Sequence, residues 1–437
     1  MREGKINKQA QDRKHRGKSS LGKIVIRSDG SNVVSLPRIA FEKKHEEYRQ
    51  RVRAFLQQHV VPDYETYCRA GCIPKKVYKA ATDEGIYSMT IPKEYGGKGL
   101  SDFRYNAVVC EELEALDVGG FFANLGNDMV LPYFLYLTTP EQRRRWLPDI
   151  AQNGRVLAVA MSEPEVGSDL GALSTRAVEA VGEGGKDGFE ITGRKMWISA
   201  GSVCDYVVVA AVTDPTKGSK GISLFVVEAD RKGFEVAKRV AKIGKHASDT
   251  CLLTFDRVWV PKENMIGSRG DGFRLLMTNL SKERLSIAIG SAASARRVLA
   301  LTVNYVQGRR AFGGSIGGLQ SVQTTLARLR VEIDSCTSFV DRCIVEQARG
   351  KLSAESASIA KYLATDLAHK TANQCLQLFG GYGYLKNSPV ARHFVDSRVP
   401  RIYGGANEVM LEIASRGLGF RPQRFRRNKT RNPRSKM

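Results

Sequence analysis

The chain has 437 residues, 42% of them hydrophobic, and a formal net charge of +23. That is length enough for two or three domains with real cores, while the longest apolar run, Val207 to Val212, falls far short of a membrane span. Residues 1–35 carry +6 and residues 416–437 carry +9, leaving +8 for the rest, so the basicity belongs to the ends and the body has no specific nucleic-acid signature.

In chain order, residues 1–35 read as a basic tail expected to be disordered. Ser19 and Ser20 among its basic residues partly suit a mitochondrial transit peptide, although few apolar residues form an amphipathic face. No apolar run near Met1 reads as a secretory signal. The eight cysteines and six histidines fall in no metal-ligand spacing, so the expectation is no metal and core thiols in a reducing compartment. Residues 36–155 read as an α domain. Phe41, Tyr48, Val52 and Phe55 recur at helical steps, Asn106 to Leu116 is amphipathic, and Thr139-Pro140-Glu141 opens a helix that ends in Trp146-Leu147-Pro148. Residues 156–268 change period. Val207 to Val212, Ile222 to Val227 and Leu252 to Val260 are short β-branched runs between Gly, Asp and Pro turns, a small β domain. Residues 269–418 return to long helical patterns, and residues 419–437 form a second basic tail. The fold class is α+β, in three domains without repeats.

One helical stretch stands out, Asp271 to Ile289. Leu276, Leu280, Glu283 and Ile287 fall at steps of four, three and four, on one face. Three of the four are apolar, so the stripe turns inward, and a carboxylate set into it loses hydration and becomes a proton acceptor near neutral pH. The simpler alternative is a Glu283 that reaches solvent or pairs with Lys282 or Arg284.

No GxGxxG opens a helix after a strand, which argues against a Rossmann nucleotide site. Two other segments carry chemistry. In Met161-Ser-Glu-Pro-Glu-Val-Gly-Ser-Asp169, Gly167 and Ser168 offer backbone N–H groups and a hydroxyl to an anion or a polar ring edge. In Gly193-Arg-Lys-Met-Trp-Ile-Ser-Ala-Gly201, Trp197 and Ser199 stand two apart on one strand face, as suits a flat heteroaromatic ligand. An ordinary turn and a core tryptophan are the plain alternatives. Together, MSEPEVGSD and GRKMWISAG resemble the acyl-CoA dehydrogenase family. The resemblance continues in order through KIGKHASDT (Lys242–Thr250), FDRVWVPKENMIG (Phe255–Gly267), GRRAFG (Gly308–Gly313), QLFGGYGY (Gln377–Tyr384) and RIYGGANEV (Arg401–Val409), covering about residues 39–418.

The resemblance implies an N-terminal α domain, a middle β domain and a C-terminal four-helix bundle, assembled as a homotetramer or dimer with one FAD per subunit. It places the flavin between Met161-Ser162 and Trp197-Ser199, with Gly167 and Ser168 near its phosphates or the thioester. It assigns the nucleotide half to a neighbouring subunit through Arg309, Phe312, Gln320, Gln377, Gly380 and Gly381. Ser168, Arg284, Tyr403 and Gly404 fall at substrate-facing positions, Arg284 towards coenzyme A. The implied reaction is α,β-desaturation of an acyl thioester, with hydride passing to flavin N5 and electrons onward to an electron-transfer flavoprotein.

Many members carry the base directly before the Gly of an IYEG-type turn, and that position here is Gly404, which cannot take a proton. A minority, including long-chain and isovaleryl-CoA dehydrogenases, supply it from the helix that here reads LSKERL, which makes Glu283 the base. RIYGGANEV is closest to the long-chain type, with Ala406 where a flavin-binding Thr is usual and Glu165 where a Gly is usual. Glu408 is a second carboxylate, expected to be structural. The expected substrate is a saturated medium- or long-chain acyl-CoA of fatty acid β-oxidation, its length set by pocket depth around Gly119 to Leu131, where Phe121, Phe122 and Met129 either narrow the pocket or are simply core. Alternatives are an acyl-CoA oxidase-like or branched-chain enzyme, or a non-catalytic polyanion-binding flavoprotein. The mitochondrial matrix is the expected compartment. Ser435-Lys436-Met437, a near match to the peroxisomal address, is the alternative.

Overall fold

The structure is a computed structural model and describes residues 25–26, 32–33 and 38–420. Most of both basic tails, and Ser435-Lys436-Met437 with them, lie outside the described residues. Val25–Ile26 pairs antiparallel with Asn32–Val33.

The first body is helical: α1 (Lys43–His59), α2 (Tyr64–Ala70), α3 (Lys75–Asp83), α4 (Phe103–Ala115), α5 (Leu131–Tyr136) and α6 (Pro140–Asn153). Tyr48, Val52 and Phe55 do form the buried stripe of α1. Helix α6 opens on a capping box between Thr139 and Gln142 and, against expectation, runs through Pro148 before stopping at Gly154, where φ is +61°. The proline removes one backbone bond, but Trp146, Leu147, Ile150 and Ala151 are buried on both sides of it and hold the next turn in place. Residues Leu125–Val130 form a single π-helical turn that runs into α5. Such turns are rare and gather at functional sites.

An eight-stranded sheet follows: β1 (Leu157–Ala160), β2 (Arg176–Val181), β3 (Asp187–Ser199), β4 (Tyr206–Val212), β5 (Ile222–Glu228), β6 (Phe234–Arg239), β7 (Thr250–Pro261) and β8 (Met265–Ile266). The order is β8-β5-β4-β2-β3-β7-β6, with β1 parallel to β4. The central strands are buried on both faces, and period-two geometry divides them. Val208, Ala210, Leu224 and Val226 join the core shared with the helical body, while Val207, Val209, Phe225 and Val227 join a core confined to the sheet.

The third body holds α7 (Gly272–Gly308), α8 (Gln320–Ala348), α9 (Ala354–Phe379), α10 (Pro389–Asp396) and α11 (Asn407–Gly417). Between α7 and α8 lies a two-residue hairpin, Arg310–Ala311 with Gly314–Ser315. Alanines dominate the facing sides of α7 and α9, Ala288, Ala292 and Ala295 against Ala360, Ala364 and Ala368. Side chains this small let two long helices approach closely. Helix α7 ties the bodies together, because Leu276 and Ile287 belong to the first core and Leu285, Ala288 and Ile289 to the bundle core. Among the described residues no helix is long and apolar enough to cross a membrane.

Candidate active site

The stripe on α7 turns inward. Leu276 is fully buried, Ile287 is 5% exposed and Glu283 is 6% exposed, while Leu280 is half-buried. Neither alternative for Glu283 holds. Lys282 turns to Asp128, with Nζ 3.7 Å from Oδ1, and Arg284 donates from Nη1 to Ser358 Oγ at 3.2 Å. What touches the carboxylate is an amide, since Asn279 Nδ2 donates to Glu283 Oε1 at 3.1 Å. The same Nδ2 also donates to the Asp128 carbonyl at 2.8 Å, so the π-helical turn fixes its orientation.

Burial pushes the Glu283 carboxyl up to about 7, and the nearby Asp128 charge adds to the rise, while Asn279, Arg284 and Lys282 oppose it. Asp128 is itself fully buried and raised by desolvation. Its Oδ2 accepts from Ser286 Oγ at 2.6 Å. Tyr133 presents a buried hydroxyl with no hydrogen-bond partner among the described residues. Burial, then the Glu283 charge, raises its pKa. A carboxyl that exchanges its proton near neutrality, held by a fixed amide away from bulk water, is the arrangement a general base needs. Sequence reasoning missed Asn279, although it stands one helical turn before Glu283, a spacing that pairs side chains. Asp128, a lone acid just before Met129-Val130-Leu131, offered the same kind of signal.

Across from this stripe, Gly404 adopts φ +64° and Gly405 φ +93°. A Cβ on Gly404 would lie 2.4 Å from Ile287 Cδ1, and one on Gly405 would lie 3.8 Å from Arg284 Nη2. The turn therefore rests on the α7 residues that follow Glu283. Gly404→Ala is expected to cost about 1–3 kcal/mol, from left-handed strain and overpacking together, read as a lower urea midpoint at unchanged slope. Tyr403 is half-buried beside Phe122, ring centroids 6.1 Å apart. Arg284 is buried rather than solvent-facing, and its Nε has no hydrogen-bond partner among the described residues. Glu408 is exposed. Beneath the turn, fully buried Lys361 donates to Gly405 O at 2.8 Å and to Asn407 Oδ1 at 2.9 Å.

The two β-domain segments are joined by a buried ion pair that the motifs contain but sequence reasoning passed over. Lys195 Nζ lies 2.9 Å from Glu163 Oε1 and donates to Met161 O at 3.0 Å. Glu163 also accepts from Ser174 N, Ser174 Oγ and Thr175 N. Burial works to raise the Glu163 pKa, but Lys195 and these donors hold it at about 2. Met196 N donates to Ser162 O at 2.9 Å, completing the link. Strict alternation does not hold in β3, because the register shifts between Lys195 and Ile198 and Trp197 takes φ +67°. The bulge turns Trp197 outward, 58% exposed, with Ser199 half-buried. Met161 and Ser162 are half-buried, and Gly167 and Ser168 lie on an exposed turn. Exposed Glu165 lies 3.8 Å from Arg194.

Arg309, Gln377, Gly380 and Gly381 line a second cleft, at the far end of α7. The Arg309 guanidinium sits 5.8 Å from the centre of the Tyr382 ring, and nothing would meet a Cβ within 4 Å at Gly380 or Gly381. Phe312, 92% exposed, crowns the adjoining hairpin, and Gln320 opens α8. Glu283 and Arg309 are 26 residues apart on α7, roughly 39 Å along its axis, so the structure does not bring these two groups together within one chain.

Three family sequence models match: the acyl-CoA dehydrogenase N-terminal domain over residues 42–154, the middle domain over 158–258 and the C-terminal domain over 270–419. The chain belongs to the acyl-CoA dehydrogenase family. It is 37% identical over 380 residues to the rat (Rattus norvegicus) long-chain specific acyl-CoA dehydrogenase, mitochondrial, covering 86% of this chain and 87% of that protein. It superposes on a crystal structure of acyl-CoA dehydrogenase from Geobacillus kaustophilus with TM-score 0.84 and 37% identity, over 88% of this chain and 100% of that one. A glutaryl-CoA dehydrogenase from Mycobacterium smegmatis, solved in complex with FADH2, is 25% identical with TM-score 0.77, over 87% of this chain and 95% of that one. Acyl-CoA dehydrogenases are FAD-dependent oxidoreductases, and this chain is one of them. Its residues fit the cofactor. The Trp197 indole is open to a ring, Gly167, Gly380 and Gly381 leave room for close backbone approach, and exposed Arg309 makes no ion pair among the described residues.

Proposed function

We propose that this chain catalyses α,β-desaturation of a saturated medium- or long-chain acyl-CoA, with Glu283 as the base that removes the α-proton. The observation that carries this reading is the buried Glu283 carboxyl, raised to about 7 and held by Asn279, on the face of α7 that meets the Gly404 turn. Glu283 takes the proton in a water-poor pocket, and Arg284, Tyr403 and Ser168 orient the thioester and its coenzyme A portion. FAD, when bound, supplies the oxidant for the β-hydride. Met161, Ser162, Trp197 and Ser199 hold its ring system, and Gly167 lies near its phosphates. Arg309, Phe312, Gln320, Gln377, Gly380 and Gly381 of a second copy hold its nucleotide half. The span along α7 supports this sharing, since no single flavin reaches both ends. Homo-oligomerisation, as a tetramer or a dimer, follows from it.

We take an electron-transfer flavoprotein as acceptor and the mitochondrial matrix as compartment, the latter on the basic amino-terminal segment and the mitochondrial relatives. Imaging a tagged chain with either end removed decides between that compartment and the peroxisome.

The test is anaerobic. Purified yellow protein should bleach when a saturated acyl-CoA is added, and kcat/KM should climb with pH through about 7 as Glu283 loses its proton. A protein that cannot be loaded with FAD, or a rate that falls across that range, ends this reading.

A further inference from the structure

Asn279, Lys282, Glu283 and Ser286 stand three or four apart on α7 and so share one patch of its surface. The patch faces the π-helical turn Leu125–Val130, and three of its four members hold one residue there, Asp128. Asn279 Nδ2 donates to the Asp128 carbonyl at 2.8 Å, Lys282 Nζ lies 3.7 Å from Oδ1, and Ser286 Oγ donates to Oδ2 at 2.6 Å. The fourth member, Glu283, takes the other bond of the same Asn279 amide, at 3.1 Å. A fully buried acid is thereby fixed at three points beside the base.

The surroundings of Asp128 favour its charged form. Ser286 Oγ accepts from Asn124 Nδ2 at 3.4 Å and gives its own proton to Asp128. Burial favours the neutral acid, while Lys282, Ser286 and Cys110 all favour the carboxylate. Lys282 is kept in place by packing, its ammonium 5.9 Å from the centre of the Phe103 ring. The charged groups that bear on Glu283 are Asp128 from the π-helical turn and Lys282 and Arg284 from its own helix, with the Tyr133 hydroxyl from α5. Arg284 leans away to Ser358, and behind it stands Lys361 of α9.

Resting on the desaturation reading above, we propose that Asp128 is a positioning residue for the base: its carboxylate, kept charged by Lys282 and Ser286, makes Glu283 a stronger acceptor for the α-proton. Asn279 fixes the spacing between the two. A like charge beside Glu283 favours its protonated form, which is the state that proton abstraction creates. Lys282 pulls the other way, so the pair sets an affinity between the extremes that either charge alone would give. Asp128 itself exchanges no proton in this step.

The experiment records kcat/KM for a saturated acyl-CoA against pH in three FAD-loaded proteins: the parent, Asp128→Asn, and Asp128→Asn with Lys282→Met. Urea midpoints of the same three are measured with and without Glu283→Gln. Asp128→Asn should move the acid limb of the rate profile down by about one pH unit and lower its plateau about threefold, since the base is weakened. Removing Lys282 as well should return the limb part of the way, because the cation facing Glu283 goes with it. The pH above which Glu283→Gln gains in urea should move with the limb. A limb that stays put in Asp128→Asn, as a plain structural tether would leave it, overturns the proposal, and so does one that moves up. Where Asp128→Asn does not fold, infrared spectra of the parent with isotope-labelled aspartate decide. Aspartate that stays ionised between about pH 6 and pH 8 supports the proposal, and a protonated aspartate in that range overturns it. Absence of turnover counts against desaturation, and the urea midpoints still decide what Asp128 does to Glu283.

Discussion

Replacing Glu283 by Gln is expected to lower desaturation by about 10²- to 10⁴-fold while flavin content and assembly stay as they were. Gln preserves shape and can still accept from Asn279, so the loss isolates proton transfer. The same change should stabilise the fold in base. The folded carboxyl titrates near 7 and the unfolded one near 4.5, so its neutral form stabilises fully below 4.5 and that contribution is lost as pH rises through 7. By pH 8 the buried charge costs about 3 kcal/mol, which Gln avoids. Urea midpoints of parent and variant should therefore diverge between pH 5 and pH 8, with the variant ahead in base. Normal turnover by the variant would move the base elsewhere, and parallel stability curves would say that water reaches the carboxylate.

Lys195→Met is expected to be among the most damaging single changes outside the reacting centre, at about 3–5 kcal/mol. It strips the ammonium from two buried acceptors, Glu163 Oε1 and Met161 O, and leaves a carboxylate without its counter-charge. Because Met161 and Trp197 sit at either end of this link, flavin retention should fall with stability. Adding Glu163→Gln should recover part of the loss, because the orphaned charge goes with it. A single variant within about 0.5 kcal/mol of the parent would mean that the Ser174 and Thr175 donors alone suffice for Glu163.

Where burial followed sequence periodicity, the structure was legible in advance. Leu276, Glu283 and Ile287 face inward as their spacing required, and the β-branched runs at Val207 and Ile222 became the central strands. Three features were not legible, each for a physical reason. Trp197 and Ser199 obey alternation only until a bulge intervenes, and a bulge depends on partner-strand register, which a single run of letters does not carry. Helix α6 ignores Pro148 because tertiary burial on both sides outweighs one missing bond. Asn279, Asp128 and Lys361 gain their meaning from atoms far away in sequence, such as the Asp128 carbonyl for Asn279 and the Gly405 carbonyl for Lys361.

The interlock between Gly404 and Ile287 has a consequence for engineering this turn. A Cβ at Gly404 would lie 2.4 Å from the isoleucine Cδ1 methyl, so a side chain there needs that methyl to swing aside or to be trimmed. Gly404→Ala is therefore expected to cost less in an Ile287→Val background, where only the left-handed strain remains.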